Sequence, residues 1–133
     1  MMALEFFLGG IPPTITHQHQ QVTVRNGKPV FYQPDRLKAA REKLTRQLKT
    51  HRPVEPIEGA VRLLTKWCFP LNTRHKIDGE YKITRPDTDN LQKMLKDVMT
   101  EVGFWKDDAQ VASEIIEKFY ARIPGIYIRV EQL

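Results

Sequence analysis

Apolar residues recur along this chain with two different periods, and their alternation sketches the fold. Leu4 to Leu8 is a short apolar run closed by Gly9-Gly10 and Pro12-Pro13, which predicts a first strand. "VTVRNGKPVFY" follows, with β-rich flanks around Asn26-Gly27. A type I′ turn needs positive φ at both central residues, so this pair predicts a hairpin. Leu37, Ala40, Leu44 and Leu48 then fall at helical spacing with basic residues on the other faces, predicting a helix from about Pro34 to Thr50 that stops near Pro53. In "AVRLLTKWCF" the period drops to two, so that Val61, Leu63, Thr65, Trp67 and Phe69 share one face of a strand.

Residues 70–86, "PLNTRHKIDGEYKITRP", hold no sustained period and carry Arg74, His75, Lys76, Lys82 and Arg85; they read as a mobile basic loop. Helical spacing returns with Leu91, Leu95, Val98 and Val102, predicting a helix from about Asp89 to Val102 with Gly103 placed to end it. "QVASEIIEKFYARI" and "IYIRVEQL", separated by Pro124-Gly125, read as a closing pair of strands. The order β-β-β-α-β-α-β-β lacks strict βαβ alternation. It predicts a single α+β domain over residues 1–133, a mixed β-sheet with helices packed against it.

Composition narrows the partners. Lys and Arg outnumber Asp and Glu by 21 to 16 in 133 residues. The surplus favours a polyanion, nucleic acid before anionic membrane, although a solvated basic surface would look the same. Cys68 is the single cysteine, so no intramolecular disulfide forms; within its alternating run it reads as a buried structural thiol. No apolar run approaches the roughly 18 residues a membrane span needs, and "MMALEFFLGG" lacks the basic region of a signal peptide. A cytoplasmic location without membrane contact is expected.

The chemistry gathers in "RPDTDNLQKMLKDVMTEVGFWKDDAQV", residues 85–111. Asp87 and Asp89 are two apart in a segment approaching a helix, and i and i+2 of an extended chain point the same way. Lys93 follows Asp89 at i+4 on the polar face. Asp107 and Asp108 come just after the helix, where the next strand could carry one of them back beside the first pair. Clustered carboxylates repel unless a cation joins them. Mg²⁺ takes one or two carboxylates with waters and phosphate oxygens, and a helix N-terminus with a lysine suits the phosphate. Together they suggest metal-assisted phosphodiester hydrolysis. Singly, each residue has a simpler reading: Asp87 or Asp89 an N-cap, Lys93 an exposed partner of Asp89 or Asp97, Asp107-Asp108 a turn. An EF-hand is excluded, because Gln92 stands where its loop requires Gly.

"RPDTDNLQKMLKDVM", "WKDDAQV" and "EKFYARIPGIYIRVE" together closely resemble the RusA-type Holliday junction resolvases, often carried by prophages. The likeness lies in a P-D-x-D-N-L-x-K helix start, a D-D-x-x-V after it, and a lysine in the strand before a Pro-Gly turn. It is dense over residues 85–131 and agrees mainly in layout before them. The resemblance implies a homodimeric, Mg²⁺-dependent endonuclease, with Mn²⁺ as a substitute, that nicks opposing strands of four-way DNA junctions symmetrically in recombination and repair. By position, Asp87, Asp89 and Asp108 would be the essential carboxylates and metal ligands. Lys93 would stabilise charge on the phosphate, Asp107 would be a ligand or a neighbour, and Lys118 a phosphate contact.

Outside the motif, Arg74, Lys76, Lys82 and Arg85 are candidate DNA contacts on the basic loop, with His75 beside them. "TITHQHQQ" stands where many family members carry a basic tract, so no DNA contact is assigned there; His17 and His19 read as surface residues rather than a second metal site. Trp67, Phe104 and Trp105 read as core or dimer interface rather than wedges that enter base steps. Two alternatives stay open: a non-catalytic protein that binds four-way or branched DNA, and a nuclease acting mainly on other branched or single-stranded DNA.

Overall fold

The computed structural model describes residues 2–15, 21–25, 27–32 and 35–133, with the backbone alone described for 21–25 and 29–32. The elements come in the expected order, with one addition. They are β1 (Ala3–Gly9), β2 (Gln21–Arg25), β3 (Lys28–Tyr32), α1 (Asp35–Lys49), β4 (Val61–Pro70), β5 (Glu80–Tyr81), α2 (Thr88–Val102), β6 (Val111–Ala121) and β7 (Gly125–Gln132). A single 3₁₀ turn, Asp108–Gln110, leads into β6.

β2 and β3 form the predicted hairpin, with Arg25 opposite Lys28 and Gly27 at φ 72°. Asn26, the other half of the turn signal, lies outside the described residues, as do Pro34 at the expected helix start and the His17–His19 pair. α2 ends where Gly103 takes the left-handed conformation at φ 99° and its N–H closes on Met99 and Thr100 carbonyls, a geometry that a side chain would strain.

The main sheet runs β1-β7-β4-β6-β5. Here the structure departs from the sequence reading, since the two closing strands are not partners. β4 lies between them, antiparallel to β7 and parallel to β6. Parallel neighbours need a crossover, and the β4–β6 crossover contains β5 and α2, which lays the helix on the sheet. β4 buries Val61, Leu63, Thr65, Trp67 and Phe69 toward the helices, as its period predicts. Leu91, Met94, Leu95, Val98, Met99 and Val102 of α2, with Leu37, Leu44 and Leu48 of α1, close the same core. Phe104 and Trp105 are buried there, so like Trp67 they are core residues.

Cys68 corrects a second expectation. It lies on the opposite face of β4 and is only partly covered. What burial there is raises its thiol pKa, so it has no thiolate character to act as a nucleophile.

Residues 70–86 also differ from a free loop. β5 pairs with β6, Gly79 N–H donates to Tyr120 O at 2.8 Å, Lys82 N–H donates to Lys118 O at 2.9 Å, and the His75 ring stacks on Tyr120 at 4.2 Å. Periodicity missed this tie because β5 is two residues long. Among the described residues no helix is long and apolar enough to cross a membrane.

Candidate active site

β6 runs back along α2, and three contacts mark its course. Asp108, just before β6, accepts a short hydrogen bond from the Thr100 hydroxyl near the end of α2. Glu114 pairs with Lys96 at 2.6 Å. Lys118 Nζ reaches the carbonyls of Thr84 at 2.7 Å and Pro86 at 2.8 Å, at the start of α2. Between helix and strand lies an open groove of about 360 Å³ lined by Asp89, Gln92, Lys93, Lys96, Asp97, Asp108, Glu114 and Ile116.

Asp87 occupies the N-cap position of α2 in extended conformation, yet its side chain makes no capping hydrogen bond. The simple reading of Asp87 as a cap therefore does not hold, and its carboxylate is left exposed. Asp89 is already in the first helical turn, so the extended i, i+2 argument for aligning the two carboxylates fails: the chain turns helical at Thr88. The pair still stands together at one helix end. Lys93 is exposed one turn further on and has no ion-pair partner among the described residues.

Asp108 does not return beside Asp87 and Asp89. Its partner Thr100 is eleven residues beyond Asp89, which at 1.5 Å per residue is about 16 Å along the helix axis. Accordingly, among the described residues no three His, Cys, Asp or Glu side chains are close enough to hold one ion. The cause is the tight turn at Gly103, which starts β6 beside the last turn of α2 rather than the first. Asp107 serves the local fold, accepting from Ala109 N at 2.8 Å and forming a reciprocal capping box with Gln110.

Two tryptophan–threonine relays stand behind the groove, and sequence reasoning missed both. Trp105 Nε1 donates to Thr100 Oγ1 at 2.7 Å. An indole N–H can only donate, so the threonine accepts there and turns its own proton outward; of the Lys96 carbonyl at 2.8 Å and the Asp108 carboxylate, the charged acceptor is the stronger. Trp67 Nε1 likewise donates to Thr65 Oγ1 at 3.1 Å, and Thr65 donates to Gln92 Oε1 at 2.9 Å. A threonine on the buried face of a strand two residues before a tryptophan was the available signal. Glu114 was missed too, because only the pairing of β6 with β4 puts it against α2.

The basic residues divide into two groups. Arg74, Lys76 and Arg85 are exposed, and their side chains have no ion-pair partner among the described residues. Lys82 is held inside the fold: its Nζ donates to Thr84 Oγ1 at 2.6 Å and lies 4.9 Å from the Tyr120 ring centroid and 5.2 Å from that of Phe69. Lys118 is partly buried, and its pKa is lowered by that burial and by nearby Lys82, with the Asp87 charge opposing the shift.

A groove of carboxylates and lysines along one helix, flanked by exposed cations, suits a phosphodiester. Comparison with known proteins agrees with that chemistry. The family model described as Endodeoxyribonuclease RusA matches residues 11–131. A crossover junction endodeoxyribonuclease rusA from Lactococcus phage r1t is 35% identical over 108 residues, covering 80% of this chain and 79% of that protein. An uncharacterized protein, YqaN of Bacillus subtilis (strain 168), is 27% identical over 143 residues, covering 100% of this chain and 99% of its own. With its motif, groove and nearly full-length match, the chain belongs to the RusA endodeoxyribonuclease family.

Proposed function

We propose that this protein resolves Holliday junctions in DNA recombination and repair, nicking opposing strands with Mg²⁺, for which Mn²⁺ can substitute. The observation that carries the reading is the Asp87–Asp89 pair at the start of α2 with unpaired Lys93 one turn away, in a chain of an endodeoxyribonuclease family. The donors are hard oxygens, and two carboxylates suit Mg²⁺, which keeps waters and takes phosphate oxygens for the rest. Asp87 and Asp89 would hold the ion. When bound, the ion would lower the pKa of a water and polarise the phosphate. Lys93 Nζ donates to the developing negative charge, the helix N-terminus favours the phosphate, and Arg74, Lys76 and Arg85 hold the flanking backbone.

Symmetric cuts call for a homodimer with two sites related by a two-fold axis. A second copy would also explain Asp108. This chain's own Asp108 is held by Thr100 at the far end of α2, so a third carboxylate at the Asp87–Asp89 end would come from the partner. Such an enzyme would work in the cytoplasm, where its DNA is.

The test is incubation with a labelled synthetic four-way junction and a linear duplex, with and without Mg²⁺. Paired nicks in opposite arms, on the junction and only with metal, are expected. Binding without nicks would leave a non-catalytic junction-binding module; equal cutting of linear DNA would make it a general nuclease. Junction affinity should also fall steeply between roughly 50 and 200 mM salt through counterion release, and a flat response would remove the proposed DNA face.

Lys118 would act as a positioning residue. Two of its protons are spent on the carbonyls that flank Arg85, so it fixes the backbone entering Asp87. Lys118→Met should slow nicking about tenfold by misplacing Asp87, while the slope of log affinity against log salt stays unchanged. A slope reduced by about one would instead make Lys118 a phosphate contact.

A further inference from the structure

Gln92 is 2% exposed and lines the groove between Asp89 and Lys96, yet its Nε2 has no hydrogen-bond partner among the described residues. The relay behind it fixes which end of the amide is unpartnered. Trp67 Nε1 cannot accept, so Thr65 Oγ1 must accept from it and give its single proton to Gln92. Only the amide oxygen can take that proton. Turning the amide over would leave the Thr65 proton without an acceptor and place two donors against one hydroxyl oxygen. The NH₂ end is therefore the one left over, in a side chain that borders the groove.

A buried donor without a partner is a standing cost of about 1–3 kcal/mol and calls for an explanation. Nothing in the fold of the free chain uses it. Its neighbours do suggest a use: Asp89 lies one turn before Gln92 and Lys93 is adjacent, so an anion drawn to Lys93 and the helix end would bring acceptor oxygens alongside. We propose that Gln92 is a substrate-contacting residue whose amide N–H donates to a non-bridging oxygen of the DNA phosphodiester being cut, held in that orientation by the Trp67–Thr65 relay. The inference rests on the nuclease reading and adds to it a neutral donor beside the lysine. A neutral amide fits the place better than a second cation would, because it does not compete for the carboxylates.

The test uses Gln92→Glu and Gln92→Met in the full chain. Glu keeps the size and the acceptor for Thr65, so the core bond survives while the groove end changes from donor to acceptor. Met removes both polar ends and relieves the buried unpaired donor. Three quantities are measured for each: the single-turnover nicking rate at saturating junction, junction affinity without divalent metal, and melting temperature. The expected result for both variants is a rate about 100-fold below wild type, the scale of losing one preorganised donor, with affinity unchanged. The melting temperature of Gln92→Glu should stay at the wild-type value. A Gln92→Glu rate equal to wild type would overturn the proposal. So would a loss of rate in both variants that comes with a matching loss of melting temperature, since Gln92 would then be a core residue only. A wild type that never nicks would instead defeat the nuclease reading, and that control is run first.

Discussion

Asp89→Asn should abolish Mg²⁺-dependent nicking, by about 1,000-fold or more, while junction binding persists. A loss of that size corresponds to about 4 kcal/mol of transition-state stabilisation. Asn keeps the shape of the side chain and removes the charge that a hard cation requires. Asp89 is exposed in the first turn of α2, so the cost to the fold is confined to its interaction with the helix dipole, about 0.3–1 kcal/mol. Single-turnover nicking beside a gel-shift measurement separates the two effects, and residual cleavage near the wild-type rate would remove Asp89 from the site. The same variant probes the dimer. Mixed with Asp108→Asn, it should recover one nick per junction if each site combines Asp89 of one copy with Asp108 of the other, because one of the two sites is then intact. No recovery is expected if each site is built within one chain.

Trp67→Ala should lower stability by about 3–5 kcal/mol, the range for emptying a large buried aromatic site. Trp67 is fully buried on β4 at the centre of the sheet, where the core of both helices meets it. For a domain of this size the melting temperature should fall by roughly 10 °C or more. The indole also supplies the proton that orders Thr65, so the change would release Gln92 from its fixed orientation. Trp67→Phe isolates that second effect, since it keeps most of the packing and deletes the N–H. Scanning calorimetry checks both variants, and a melting temperature within a degree or two of wild type for Trp67→Ala would contradict the core described here.

Local physics was legible in the sequence. Period two along Val61–Phe69 and helical spacing along Leu91–Val102 identified the faces that are buried, because a pleated strand and a helix each repeat on their own short scale. Gly103 ended its helix because glycine alone takes positive φ without strain. The residues of the motif, and the excess of cations around them, were readable in the same way.

What the chain could not announce is which distant segments would meet. β4 entered between the last two strands because strand pairing depends on how every strand competes for the buried centre of the sheet, and no window of neighbours records that competition. The direction of β6 followed from it. That direction set Asp108 at the far end of α2, spent two Lys118 protons on Thr84 and Pro86, and brought Glu114 to Lys96. Gln92 shows the same division of labour. Its place in the motif was plain, but its unpaired amide arises only when Thr65 and Trp67 of another element take up the oxygen end. The sequence alone therefore determined the elements and the chemical groups available, since these depend on neighbours a few residues apart. Tertiary structure decided which groups share a site and which protons remain free, since those depend on contacts between residues far apart in the chain.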